Sequence, residues 1–401
     1  MIARVAAIFA AGSCFLASTS AAPTFHKEIE PILQQRCQSC HRPGEPGPMP
    51  LLTYAQTRPW AKAIKSALLG GKMPPWSPDK RYGKFTNDLS MPAAEREALV
   101  AWVDAGSPEG SAADAPAAKQ FTEGWKIPKP DVVFELPEEM PIPSSGVLGY
   151  QYIPVPTGFT EDKWVQMLEV RPTEPSVVHH AIVTVDSGRG GMGAQNYLAG
   201  YAPGMLPQLW KPGTARLIKA GSTLIFQMHY TTNGKAAKDR TRLGLVFAKA
   251  PVTEQVIASA VSSYWLEIPP QDPNYRTDAA LVMRETVKLV GMRAHMHLRG
   301  KSFEFRAVYP SGEKEVLLSI PKYDFNWQPY YYLATPKILP RGTRIECTGV
   351  FDNSKNNPFN PDPKMTVGWG PQSWDEMMIG WLDLAVDPQS TTARMANRVI
   401  E

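Results

Sequence analysis

The chain has 401 residues, of which 43% are hydrophobic and 20% are charged, and its formal net charge is +4. This length predicts two or three domains, and this composition excludes wholesale disorder because it supplies enough apolar residues for hydrophobic cores. The net charge is small and no basic stripe is present, so we expect no nucleic-acid partner. The 39 prolines and 30 glycines favour a β-rich protein with many turns.

Residues 1–21 have the pattern of an export signal. Arg4 gives a short positive start, residues 5–16 form an apolar run that is too short to span a bilayer, and small residues follow. We predict cleavage after Ala21, because the alternative cut leaves a proline at the new terminus. No later segment is apolar enough for a membrane span, so we expect an exported, periplasmic protein. Cys14 weakly resembles a lipoprotein anchoring site, which is the alternative.

Cys37, Cys40 and His41 form a Cys-x-x-Cys-His motif, the pattern that attaches a c-type haem. In this arrangement the two thiols form thioether bonds to the porphyrin and the adjacent imidazole binds the iron. No second cysteine pair is present to complete a zinc site, and no βαβ pattern indicates a thioredoxin-like redox pair. The motif therefore predicts one covalently attached haem c.

A sixth ligand of the haem iron should be a methionine or a histidine. Met73 is our choice, because the two prolines after it impose an extended backbone that presents the thioether, and Met91 is the alternative. Helices are predicted at residues 25–33 and 93–105, the second ending at a glycine. Residues 24–107 resemble a small all-α class I cytochrome c domain.

The remainder of the chain has the pattern of a linker followed by β structure. Residues 108–148 are predicted to be a linker and then a proline-rich extended segment. Short apolar runs then alternate with turn residues, as at 164–170, 181–185, 223–230 and 286–290. This pattern predicts two all-β sandwich or jelly-roll domains, at residues 149–262 and 263–401.

Six of the seven histidines lie in four motifs that are typical of metal ligands. Only His26 is left over, and we expect it at the surface or at the haem edge. His41 closes the haem motif, and the other five are His179, His180, His229, His295 and His297. Five histidines in three such settings predict metal sites rather than isolated hydrogen-bonded side chains.

Strand geometry predicts which of these side chains share a face. Alternation puts His229 on the face of Gln227, and it puts His295 and His297 on the face of Arg293. The adjacent histidines at 179 and 180 cannot share a face of a regular strand, so a bulge or a turn must redirect one of them.

Imidazole ligands suit zinc, copper, iron and nickel, whereas a thioether ligand selects copper. The methionine-rich stretch 374–381 is able to supply such a thioether. The sequence therefore favours copper.

The four motifs His-His, Gln-x-His-Tyr, His-x-His and Asp-Glu-Met occur in an order that resembles the copper type II, ascorbate-dependent monooxygenases, which hydroxylate peptidylglycine and dopamine. The resemblance extends from about Asp131 to the C-terminus. It implies two successive jelly-roll-like domains with one copper ion in each. The ligands it implies are His179, His180 and His229 for the first ion, and His295, His297 and Met377, which are also the implied catalytic residues, for the second.

This chain departs from the family pattern in two ways. Met378 stands where the animal enzymes commonly have a cysteine that pairs with one like Cys347, so that disulfide is absent. Arg293 matches an arginine that binds the substrate carboxylate in the peptide-amidating relatives, but Trp381 replaces their tyrosine, so we do not expect a peptide substrate. Gln227 matches a glutamine near the electron route between the coppers.

Together these features predict a copper monooxygenase that uses O2 and a small organic substrate of unknown identity. Electrons are expected to arrive through the fused haem from a reduced cytochrome, a quinol-linked carrier or an ascorbate-like reductant. The alternative is a non-enzymatic haem and copper protein that transfers electrons or handles copper.

Overall fold

The computed structural model describes residues 22–186 and 196–397, so the predicted export signal and Cys14 lie outside the described residues. The described chain is mostly β-sheet with few helices, as the sequence predicts. Among the described residues, no helix combines the length and the apolar character that are needed to cross a lipid bilayer.

Helices dominate the N-terminal part of the chain. A π-helical turn (Phe25–Ile29) leads into α1 (Glu30–Arg36), and α2 (Tyr54–Thr57), α3 (Ala61–Leu69) and α4 (Ala93–Asp104) follow. The predicted helices at 25–33 and 93–105 are thus confirmed to within a few residues. These helices enclose one hydrophobic core, which consists of Phe25, Ile29, Leu33, Leu51, Ala61, Leu68, Leu99 and Trp102.

The first β unit is a sandwich of two sheets with the strand orders β1-β11-β4-β8 and β3-β9-β5-β6. The short strands β2 and β10 form a ribbon of their own, and β7 pairs with β4. The strands are β1 (Val132–Glu135), β2 (Met140–Ile142), β3 (Gln151–Pro156), β4 (Lys163–Arg171), β5 (Val178–Asp186), β6 (Tyr197–Tyr201), β7 (Gln208–Leu209), β8 (Thr214–Ile218), β9 (Thr223–Tyr230), β10 (Ala237–Asp239) and β11 (Arg242–Phe247).

The second β unit repeats this architecture with the strand orders β12-β21-β15-β18 and β14-β19-β16-β17, and β13 pairs with β20. A C-terminal helix, α5 (Thr391–Ala396), packs on its core through Ala393. The strands are β12 (Glu254–Ser262), β13 (Glu267–Ile268), β14 (Tyr275–Val282), β15 (Val287–His295), β16 (Gly300–Val308), β17 (Lys314–Ile320), β18 (Tyr331–Leu339), β19 (Arg344–Phe351), β20 (Val367–Gly368) and β21 (Ile379–Val386).

The two β units share one continuous sheet. β8 pairs in parallel with β12, so a nine-stranded sheet runs from the first unit into the second. A buried ion pair crosses the junction, because Arg216 of β8 donates to Asp383 of β21 at 2.7 Å. The sequence analysis did not predict this connection, because the paired strands lie far apart along the chain.

Two strands, β1 and β12, pair across the predicted domain boundaries. The segment at 108–148, predicted to be a linker and an extended segment, contains β1, whose residues pair with β11 from Val132↔Leu245 to Glu135↔Arg242. The predicted boundary at 262 places β12 in the first unit, whereas β12 pairs along its length with β21 of the second. In both cases, pairing with a strand that is distant in sequence determines which β unit the strand belongs to, and the local sequence does not reveal that partner.

The helical part is attached to the edge of the second β unit. Phe85 forms a bridge with Leu333 of β18, and the Asn87 side chain donates to the carbonyl of Tyr330 at 2.6 Å. The rings of Trp76 and Phe85 lie 5.3 and 5.6 Å from the ring of Tyr331. The connection after α3 thus caps the edge of β18, which limits its exposure to other chains.

Candidate metal centres

Three histidines converge on neighbouring strands of the first β unit. β5 carries His179 and His180, and β9 carries His229. The register between these strands shifts between Val178, which pairs with Tyr230, and His180, which pairs with His229. His179 is therefore the extra residue of a β-bulge, which confirms the predicted irregularity. The three rings have centroids 4.9 to 5.6 Å apart, and their ligand atoms lie within 4.8 Å of one another.

The nitrogen atoms of this first histidine set fit a metal ion. Nδ1 of His179 and Nδ1 of His180 are 3.3 Å apart. Two imidazole nitrogens that bind one ion tetrahedrally at about 2.0 Å are separated by about 3.3 Å. Nδ1 of His229 is buried without a hydrogen-bond partner, which costs free energy unless a ligand satisfies it. A metal ion bound through the Nδ1 atoms would satisfy this nitrogen of His229.

Gln227 and Tyr150 contact the first set. Oε1 of Gln227 accepts from Nε2 of His180 at 3.4 Å, which leaves Nδ1 of the His180 ring free for a metal. Nε2 of Gln227 donates to the hydroxyl of Tyr152 at 3.1 Å. The Tyr150 ring lies edge-on to His229 with centroids 4.7 Å apart. Gln227 thus adjoins the set as predicted, whereas Tyr150 lies on a loop that gave no signal in the sequence.

A second set consists of His295, the last residue of β15, and His297, with ring centroids 5.1 Å apart. Nδ1 of His295 donates to Oε1 of Gln328 at 2.7 Å, and Nδ1 of His297 donates to the carbonyl of Asp375 at 3.1 Å. A proton on Nδ1 leaves the lone pair on Nε2, so both Nε2 atoms are available to a metal.

Strand pairing brings the chain segment of Met377 close to the second set. Ile379, the first residue of β21, pairs with His295, and Met377 precedes it by two residues. Its neighbour Met378 is fully buried, and it packs so closely on Gly349 that an added Cβ there would lie 2.9 Å from its Cγ. Met378 thus belongs to the hydrophobic core, and Met377 as the copper ligand stays a prediction.

Two residues that the sequence analysis missed hold the backbone of the second set. The buried carboxyl group of Glu376 accepts from the backbone N–H groups of His297 and Arg299 at 2.8 and 2.6 Å, and burial raises its pKa to about 8. The hydroxyl of Tyr323 accepts from the N–H of Met296 at 2.9 Å and donates to its carbonyl at 2.7 Å. These bonds fix the main chain on both sides of the histidine motif.

All five histidines of the two sets have lowered pKa values, and burial is the main cause in each. The pKa is about 4 for His229, about 4 for His297 and about 3 for His295. His179 and His180 are shifted in the same direction, the latter strongly. All five rings are therefore neutral at pH 7, which is the form that binds a metal ion.

The predicted substrate residues Arg293 and Trp381 lie together at the junction of the two β units. The guanidinium carbon of Arg293 is 5.0 Å from the ring centroids of Tyr197 and Tyr330 and 5.2 Å from that of Trp381. This aromatic cage leaves Arg293 only 7% exposed, and it draws rings from both units. The cage joins the units, and the role of Arg293 and Trp381 in substrate binding stays a prediction.

The haem motif follows α1. Cys37 and Cys40 are both free thiols, and burial raises the pKa of Cys37 to about 12. Nδ1 of His41 donates to the carbonyl of Met49 at 3.2 Å. This bond leaves Nε2 of His41 with its lone pair, as an iron ligand requires. The donor atoms of the motif thus fit the predicted haem.

The two candidate sixth ligands differ in their surroundings. Met73 is 43% exposed, whereas Met91 packs against the hydrophobic core of the helices. An exposed thioether is free to serve as a ligand, and a packed one contributes to the core. Met73 as the sixth ligand, with Met91 as the alternative, stays a prediction.

The haem motif faces the first β unit. Glu45, four residues after His41, pairs with Lys126 at 3.1 Å, and a shallow cleft lies between residues 44–46 and Tyr201 with its neighbours. Tyr201 of β6 pairs with Ala181 of β5, which directly follows the second histidine of the first set. The strand that carries the first set therefore lies one strand away from this cleft.

No known family profile and no curated protein sequence matches the chain. Among solved structures, a structure of the Gx strain of infectious bursal disease virus overlaps 65% of this chain and 73% of that chain, with a TM-score of 0.20 and 7% identity. PBCV-1 VP54, fitted into a reconstruction of the virophage Sputnik, overlaps 66% of this chain and 96% of that chain, with a TM-score of 0.23 and 6% identity. A xanthan lyase from Paenibacillus overlaps 66% of this chain and 28% of that chain, with a TM-score of 0.16 and 11% identity. Similarities at these TM-scores carry no information about function.

Proposed function

We propose that the protein is an exported copper-dependent monooxygenase that hydroxylates a C–H bond of a small organic substrate with O2. Electrons reach its copper sites through a c-type haem bound to residues 24–107. The observation that carries the proposal is the arrangement of five neutral histidines in two adjacent sets, with a methionine in a chain segment close to the second set. Export of the protein is inferred from the sequence of residues 1–21 alone.

Each set has donors for one copper ion. His179, His180 and His229 would hold the first ion through imidazole nitrogens alone, whereas the second set adds the thioether of Met377 to its two imidazoles. A thioether favours copper over zinc, and it favours copper(I), the oxidation state that reacts with O2. Bound copper supplies one-electron chemistry and O2 activation, which protein side chains cannot perform alone.

The side chains around the second set fix its geometry. Gln328 and the carbonyl of Asp375 hold the Nδ1 protons of His295 and His297, so each ring keeps one orientation and one tautomer. Glu376 holds the intervening backbone. These contacts limit the rearrangement that the ligands undergo when the ion changes its charge, which assists one-electron chemistry.

The haem side of the proposal assigns residues 24–107 to a cytochrome c domain. Cys37 and Cys40 would form the thioether bonds, and His41 and Met73 would bind the iron. Residues 44–46, which follow the haem motif, line the cleft beside Tyr201 in the first β unit, and on this ground we assign electron entry to the first histidine set. The external donor is a reduced cytochrome, a quinol-linked carrier or an ascorbate-like reductant, which gives one electron at a time.

The test combines a ligand variant with a matched control. Met377→Ile removes the thioether, and Met365→Ile changes a methionine that is 57% exposed on a loop. Full-length, haem-containing, copper-loaded protein is supplied with ascorbate, 18O2 and a panel of small amines, carboxylates and aromatic compounds. We expect wild type and the control to form a product with one 18O atom. We expect Met377→Ile to form none, to lose the copper–sulfur signal in X-ray absorption, and to keep the haem spectrum.

Full product formation by Met377→Ile would disprove the assignment of that ligand. Absence of any labelled product from protein that holds both coppers and the haem would favour the other candidate function. That candidate is electron transfer or copper handling without catalysis, to which the same histidine sets and the same haem motif are suited.

A further inference from the structure

One short loop between β17 and β18 contacts both histidine sets. We call residues 323–328 the bridging loop. The Phe325 ring stacks on His179 of the first set, with centroids 4.9 Å apart and planes at 25°. The same ring meets His297 of the second set edge-on, with centroids 6.0 Å apart and planes at 83°. The two histidine rings therefore cannot be further apart than the sum of these two distances.

The other contacts of the bridging loop hold Phe325 in this place. Gln328 accepts from His295 at 2.7 Å and donates to the carbonyl of Phe325 at 2.7 Å, so the second set is bonded to the loop directly. Trp327 lies flush on Gly204 of the first β unit, where an added Cβ would come within 1.8 Å of the indole ring. The loop is thus anchored to both units by the two residues that closely follow Phe325.

We propose that Phe325 is a positioning residue that joins the two metal sites, holding His179 and His297 at one short separation and filling the space between them. This inference rests on the proposed function, because it requires a metal ion in each set. A phenyl ring has no hydrogen-bonding group, so it packs against both imidazoles without competing for their nitrogen atoms.

The consequence concerns the electron that has to move between the sites. Copper held by the first set would give up one electron and copper held by the second set would accept it, and a haem reduced by the external donor would restore the first. With Phe325 in place this electron crosses the packed rings of His179, Phe325 and His297. With the ring removed it crosses a gap that water is free to enter, and the two β units lose a contact that fixes their separation.

The test uses electron paramagnetic resonance of oxidised, copper-loaded, full-length protein. Two neighbouring copper(II) ions give a half-field transition, whose intensity falls steeply with their separation. We expect this transition in wild type and in Phe325→Tyr, which keeps the ring. In Phe325→Ala we expect the transition to weaken or disappear, because the ring no longer holds the two histidine sets at one short separation. Phe359→Ala, which changes a phenylalanine that is 62% exposed, should resemble wild type.

The copper content of each variant, measured on the same samples, separates the possible failures. Wild type with fewer than two coppers per chain would overturn the proposed function and this inference with it. Wild type with two coppers and no half-field transition would overturn the inference alone. An unchanged transition in Phe325→Ala that holds two coppers would also overturn the inference alone. An equal loss of the transition in Phe325→Ala and Phe325→Tyr would do the same. Phe325→Leu, which keeps an apolar side chain of similar bulk, serves in place of the alanine variant if the latter fails to fold.

Discussion

Acidification of the metal-free protein should destabilise it through the histidine sets, because their rings are buried in the neutral form. An unperturbed histidine has a pKa of about 6.5. The folded protein lowers the pKa to about 4 for His229 and His297 and to about 3 for His295, mainly through burial. The unfolded chain therefore takes up protons first as the pH falls. The neutral buried rings therefore cost no stability well above pH 6.5, and the free energy of unfolding falls progressively as the pH falls below this value.

The magnitude follows from the size of these shifts. At pH 4.5, about two units below the unfolded pKa, each of the three histidines costs on the order of 2–3 kcal/mol, because one unit corresponds to about 1.4 kcal/mol. The three costs have the same sign, and the stability of a typical protein is only about 5–15 kcal/mol. The metal-free protein should therefore lose most of its stability between pH 6.5 and pH 4.5.

The assay is urea unfolding of the metal-free protein, followed by tryptophan fluorescence at pH 7.5 and pH 4.5. Carboxyl groups also titrate in this range, so the informative quantity is the difference between wild type and a variant. His295→Gln removes one titrating ring, and we expect it to lose on the order of 2–3 kcal/mol less than wild type on acidification. Met365→Ile, which changes an exposed side chain that does not titrate, should behave as wild type. An acid-dependent loss in His295→Gln equal to that of wild type would refute the reasoning.

Two further substitutions test the junction of the β units and the haem. Asp383→Asn leaves the buried guanidinium of Arg216 without its carboxylate and should lower the free energy of unfolding by about 3–5 kcal/mol. The double variant Arg216→Met, Asp383→Leu removes both charges and should lower it much less. Urea unfolding measures both changes, and equal losses would contradict the account. Met73→Ala should abolish the optical band of methionine-ligated ferric haem, and Met91→Ala should preserve it; the opposite result would assign the sixth ligand to Met91.

The alternation of residues along single strands was predictable from the sequence. In β9 every second side chain from Leu224 to Tyr230 is buried, so the other face carries Gln227 and His229 as expected. The adjacent pair His179 and His180 required an irregularity, and the register shift supplies it. These predictions succeed because side-chain direction on a strand has a period of two and needs no knowledge of distant partners.

Contacts made by loops were not predictable. Phe325, Gln328 and Tyr150 adjoin the histidine sets, but they lie in connections whose path depends on how the sheets pack, and no periodicity marks them. The continuous sheet through β8 and β12 escaped prediction for the same reason, since its partners are distant in sequence. The aromatic cage of Arg293 likewise draws rings from both β units.

The most direct test of the central claim is a count of iron and copper per chain. Haem-containing, full-length protein is loaded with copper, freed of unbound metal and measured by elemental analysis. The account predicts one iron and two coppers, one for the set at His179, His180 and His229 and one for the set at His295, His297 and Met377. One iron with a single copper, or zinc retained in preference to copper, would contradict it.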